Sequence, residues 1–130
     1  ISISDTYYMT GKKAWFTVAI VIGALMLIPG ALEITPDNIQ ALPFLAGGCM
    51  ILAGVAPNFK SQEKILHYTG AFGLLGLSQL WVMIMEPWLL CTWIILGIWC
   101  IWKKLKTWAF WGEIIMMINV YIIVILRLIK

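Results

Sequence analysis

Nineteen consecutive residues, 14–32 (AWFTVAIVIGALMLIPGAL), carry no charge, and this run limits the chain's options more than any other feature. At 1.5 Å per helical residue it extends roughly 28 Å, close to the bilayer hydrocarbon core of about 30 Å. Four further apolar stretches follow, at about 41–56, 65–85, 88–102 and 107–126. Each is bounded by charge, proline or both. Only 12% of residues are charged and 62% are hydrophobic, with a mean hydropathy of +0.95. A water-soluble domain carries about 25% charged residues. Half that value, concentrated in short connections, leaves too little polar surface to cover a globule in water. The reading is a single all-α transmembrane domain over 1–130: a bundle of about five membrane helices preceded by an interfacial segment at 1–13. Tyr7 and Tyr8 of that segment sit at headgroup level.

The connections predict how the helices begin and end. Pro29 and Gly30 are expected to kink or fray the last turn of the first helix. Asp37, in the acidic connection EITPDNIQ, is expected to cap the second. Glu86 and Pro87 stop the third helix, and Pro87 suits the first turn of the fourth, giving a very tight hairpin. If the N-terminus is cytoplasmic, seven of the nine basic residues fall on the inner side: Lys12, Lys13, Lys60, Lys64, Lys103, Lys104 and Lys106. The outer side then holds Arg127 and Lys130 beside Glu33, Asp37 and Glu86, an asymmetry of the positive-inside kind. The basic tail is dissonant with this orientation and raises the question of whether the fifth helix crosses fully. Tryptophans fit an interfacial belt: Trp15 lies near Lys12 and Lys13, and Trp99, Trp102, Trp108 and Trp111 bracket the KKLK run at 103–106. Trp81 and Trp88 flank the Glu86–Pro87 turn.

Glycines supply smooth helix surface. Gly47, Gly48 and Gly54 in the second helix, Gly70, Gly73 and Gly76 in the third, and Gly112 in the fifth are read as packing positions. The three-residue spacing of the middle set drifts 60° per step, so it makes a winding band rather than one straight groove. It suits a central helix with several neighbours.

Few residues offer chemistry. Glu113 lies inside the fifth helix, where ionisable groups are rare. It is read either as a carboxyl that snorkels or is hydrogen-bonded, with Lys106 one heptad earlier, or as part of an ion, proton or polar-ligand site. His67, the single histidine, opens the third helix in the same leaflet. A His67–Glu113 pair would move its titration across physiological pH; the alternative is an interfacial histidine at a helix start. Deeper polar groups are Ser78, Gln79 and Asn119. Asn119 shares a face with Gly112 and Met116, and a Gln79–Asn119 hydrogen bond across helices is expected as structural glue, or else as part of a polar path inward from Glu113.

No cofactor and no metal are implied. One histidine cannot build a multi-histidine zinc site or bis-histidine haem ligation. No lysine lies mid-helix for a Schiff base, and GxSxG, HExxH and P-loop motifs are missing. Cys49, Cys91 and Cys100 all lie in apolar segments and read as packing residues. Nucleic-acid binding would need a broader basic stripe.

The stretches FLAGGCMILAGVAPNFKSQEKILHYTGA and SQLWV resemble small multi-span inner-membrane proteins of Bacteroidetes-type bacteria, in which an APxFK loop precedes a helix opening on HY and continuing to SQLWV. The resemblance covers roughly residues 40–85. It implies a bacterial cytoplasmic membrane and brings no known activity. The expected function is therefore non-enzymatic: packing against membrane-protein partners, a second copy or lipid. The alternative is a small ion- or proton-coupled channel or transporter using the intramembrane carboxylate.

Overall fold

The computed structural model describes residues 13–59, 61–103 and 107–129. Five α-helices succeed one another: α1 (Lys13–Glu33), α2 (Ala41–Val55), α3 (Glu63–Met85), α4 (Cys91–Lys103) and α5 (Trp108–Leu128). Short 3-10 turns at Asp37–Ile39, Ala56–Asn58 and Pro87–Leu90 join or extend them. The protein is an all-helical bundle. The expected segment 1–13, with Tyr7, Tyr8 and Lys12, lies outside the described residues except for Lys13, as do Lys60, Lys104, Lys106 and Lys130.

The helices alternate in direction, and polar contacts at each end establish it. At one end Lys13 of α1 pairs with Glu63 of α3 at 3.4 Å. There Thr17 Oγ1 also donates to the Gly54 carbonyl at 2.8 Å and accepts from Asn58 Nδ2 at 3.1 Å. At the other end Trp81 Nε1 of α3 donates to Thr35 Oγ1, just beyond α1, at 3.0 Å. Arg127 of α5 meets Glu86 there at 3.4 Å. Arg127, the described base of the tail that looked dissonant, thus has a counter-charge beside it, and its guanidinium also reaches the Met85 carbonyl at 3.5 Å, at the negative end of α3.

Four segments are long and apolar enough to cross a membrane: Lys13–Glu33, Ala41–Asn58, Glu63–Met85 and Trp108–Leu128. The fifth helix, whose crossing the basic tail put in question, has the full length. The fourth segment departs from the expectation. Pro87–Lys103 is a shorter apolar helix, of which only 13 residues are α-helical, because the Pro87–Leu90 turn takes up its start.

Three local expectations are refined by the structure. The last turn of α1 does not fray at Pro29 and Gly30: the helix continues to Glu33 and closes with an Ile34 N–H bond to the Gly30 carbonyl at 3.3 Å. A proline removes only one helical N–H bond, and a lipid-embedded helix keeps the rest because water is not there to replace them. Asp37 does not cap α2; it opens the 3-10 turn, and its Oδ1 accepts from Gln40 Nε2 at 3.2 Å. α3 starts at Glu63, two residues before the apolar run, so the loop acid sits at the positive helix N-terminus.

α2 and α3 interlock most closely, and glycine makes it possible. A Cβ on Gly70 would lie 2.5 Å from the Ala53 nitrogen and 2.7 Å from the Cys49 carbonyl oxygen, so backbone meets backbone there. Cβ atoms on Gly47 and Gly54 would collide with Ile28 and Ile20 of α1, and one on Gly73 with Cys49 Sγ. Gly48 and Gly76 do not fit the packing expectation: an added Cβ would meet nothing within 4 Å at either. The winding band therefore seats only its first two glycines on α2. The core cluster lies toward the opposite end of the bundle, where Trp81, Val82, Leu89, Ile123, Ala31 and Met85 are buried together.

Candidate functional site

The polar side chains of the apolar layer converge where α3, α4 and α5 meet. Gln79 Oε1 accepts from Trp93 Nε1 at 2.8 Å and from Asn119 Nδ2 at 3.2 Å. Asn119, fully buried, also donates through Nδ2 to Thr92 Oγ1 at 3.1 Å. Gln79 Nε2 reaches the Ser78 hydroxyl at 3.4 Å, and Ser78 donates to the Leu75 carbonyl at 3.3 Å. The expected Gln79–Asn119 bond is present, inside a larger cluster than the two residues alone suggested.

The cluster has one internal conflict. Thr92 owns a single hydroxyl proton, and two acceptors lie within reach: the Leu89 carbonyl at 2.6 Å and Asn119 Oδ1 at 3.2 Å. Serving one leaves the other without that donor. In a layer without water such a deficit has weight, because each side-chain bond here replaces one that lipid cannot offer.

Each candidate residue can now be located. Glu113 is half-buried on α5 and is engaged by a partner. His67 is partly exposed at the start of α3, its ring edge-on to Tyr68 at 5.8 Å. Its Nδ1 is buried and has no hydrogen-bond partner, so the candidate pairing with Glu113 is not made through that atom. Gly112 is buried beside the Trp93 ring, where an added Cβ would make ordinary contact at 3.5 Å. Among the described residues no group of three His, Cys, Asp or Glu is placed to hold a metal ion.

Among the expected interface tryptophans, Trp15, Trp88, Trp102 and Trp108 face outward. Trp88 donates Nε1 to Glu86 at 3.0 Å, and Lys103 sits over the Trp102 ring at 4.6 Å. Trp99 and Trp111 are half-buried and pack edge to face at 4.9 Å, joining α4 to α5. Trp81 contradicts its assignment. It is 1% exposed and belongs to the core, where Thr35 satisfies its N–H and itself donates to the Ala31 carbonyl. Proximity to a turn suggested the belt, but the ring points into the bundle.

Sequence reasoning missed Thr35, Thr92 and Trp93. A signal for Thr92 exists in hindsight: Thr92, Leu96 and Trp99 recur at i, i+4 and i+7, one helical face, and Leu96 is the buried residue of α4. Nothing local marks Thr35. A separate cavity of about 40 Å³ lies between α1, α2, α3 and α5, walled by apolar groups such as Ala24, Gly47, Leu74 and Val120, with Ser78 its one hydroxyl.

Fold and site together define a helical bundle built for a membrane, with a polar cluster at a three-helix junction. No family model, no curated protein and no solved structure matches the chain.

Proposed function

We propose that this chain is a non-enzymatic integral membrane protein that works by helix packing, as a subunit beside a membrane-protein partner, a second copy of itself or lipid. One observation carries the reading: Gln79 and Asn119, the deep amides that would line a path through the layer, are spent on bonds to each other and to their neighbours. Gln79, Asn119, Thr92 and Trp93 bind across three helices, and the cavity beside them is small and apolar. The resemblance of residues 40–85 favours a bacterial cytoplasmic membrane. The lysine asymmetry favours an N-terminus on the cytoplasmic side.

Two measurements test this. Reconstituted in vesicles, the protein should move neither protons nor small cations. Ion movement that Glu113→Gln abolishes would establish the transporter alternative in its place. In native membranes, cross-linking should trap the chain in a complex; a clean monomer both there and in detergent would remove the basis for a packing role.

A further inference from the structure

α1 packs against α2 and α5 against α3, and the cavity of about 40 Å³ lies between these two pairs. Toward the Glu86 end the core cluster closes it, since its wall residues Ala31 and Trp81 belong to that cluster. Away from that end the walls run to Ala24 and Leu74, both near the middle of their helices. Leu27 of α1, Leu74 of α3 and Val120 of α5 are half-buried, so the wall there is one side chain thick and its other side faces out of the bundle.

The chemistry of the walls selects the occupant. A buried water needs about two to four polar partners. Ser78 has the one hydroxyl, and it is already committed, donating to the Leu75 carbonyl at 3.3 Å and accepting from Gln79 Nε2 at 3.4 Å. Left empty, the void deprives its lining of contacts. At the cost per unit volume of a cavity in a protein interior, filling a space of this size is favoured about fivefold. The space holds on the order of one or two carbon groups, taking about 30 Å³ for a water-sized group, so no helix of a protein partner enters it. Between helices long enough to cross a membrane, the surrounding medium is acyl chain, and chain ends meet at mid-membrane, the depth of Ala24 and Leu74.

We propose that the cavity is a binding site for the methyl end of a phospholipid acyl chain, which enters between α1 and α5 and fills the space against Ala24, Ser78 and Trp81. A lipid tail then completes the packing between the α1–α2 and α3–α5 pairs. The site rests on the reading of the chain as membrane-embedded, and it stands whether or not the protein moves ions or meets a protein partner.

Photolabelling in vesicles tests the site. The full chain is reconstituted in palmitoyl-oleoyl phosphatidylcholine doped with the same lipid bearing a diazirine at the end of one acyl chain, and adducts are mapped by mass spectrometry. Buried Ser78 or Trp81 should carry adducts beside those on outward-facing Met26 and Phe72. With the diazirine next to the glycerol instead, Ser78 and Trp81 should stay unlabelled. Ala24→Val extends a wall residue into the void. It should lower the Ser78 and Trp81 adducts about fivefold, the preference for filling the space, and leave Met26 and Phe72 unchanged. Adducts confined to outward-facing residues overturn the proposal. So do equal wall adducts from the two lipids, and wall adducts that Ala24→Val does not lower. If Ala24→Val loses helical content by circular dichroism, Ala46→Val in the α2 wall replaces it, with the same readings.

Discussion

Gly70 is the position where a single methyl group has nowhere to go. Its added carbon would meet the Ala53 nitrogen and the Cys49 carbonyl, neither of which can rotate aside. Gly70→Ala should therefore separate α2 from α3 and lower stability by about 1–3 kcal/mol, the range for overpacking. Gly76→Ala, with open space around it, should be neutral or stabilise by up to about 1 kcal/mol through helix propensity. Thermal unfolding of both variants in one detergent is the check, and equal effects would mean that Gly70 is not in close contact. Trp81 makes the other residue-scale prediction. Trp81→Phe keeps most of the buried ring volume but leaves Thr35 without its donor, so a loss of roughly 0.6–2 kcal/mol is expected. If Thr35→Val already removes that loss, the pair is confirmed; if Trp81→Phe destabilises equally in a Thr35→Val background, the bond is not the cause.

At the scale of elements, the junction of α3, α4 and α5 is held by bonds that no helix can form alone. Gln79→Leu and Asn119→Leu should each destabilise the bundle. In a double-mutant cycle the two should couple by about 0.6–1.7 kcal/mol, the span measured for side-chain bonds between membrane helices. Additive losses would show that the two amides act independently. The Glu86–Arg127 pair belongs to a different class. The Arg127 side chain is 36% exposed, so its interaction is screened, and Arg127→Gln should change stability by less than about 1 kcal/mol. A larger loss would point to its bond with the Met85 carbonyl rather than to charge.

The whole molecule makes a prediction about topology. Lys13 and Glu63 share one end of the bundle, and Glu86 and Arg127 share the other. The start of α1 and the end of α5 accordingly lie at opposite ends of the bundle, and the shorter α4 runs between those ends to reach α5. A compartment-sensitive reporter placed before Ile1 and another after Lys130 should report opposite sides of the membrane. The same side for both would mean that α4 enters and leaves through one face. The apolar outer surface is consistent with crossing, since Met26 is 76% exposed and Ile101 80%. Water would not tolerate so continuous an apolar rim on a monomer.

Length, hydropathy and charge placement determined the class of this protein without any coordinates. The bilayer demands apolar runs of a set length and forces their backbones into helices, so the number and order of helices are written locally. The single-residue turn at Glu86 and the pairing of Gln79 with Asn119 were legible for the same reason: proline and a buried amide each have few options. What only the tertiary structure decided was direction around the helix axis. Every face of a lipid-embedded helix is apolar, so hydrophobic periodicity does not distinguish inside from outside. That is why Trp81 read as an interfacial ring and lies in the core, and why Gly48 and Gly76 read like Gly47 and Gly70 yet have open space where a Cβ would stand. It is also why Thr35, Thr92 and Trp93 gained their roles only once neighbouring helices supplied the bonds they complete.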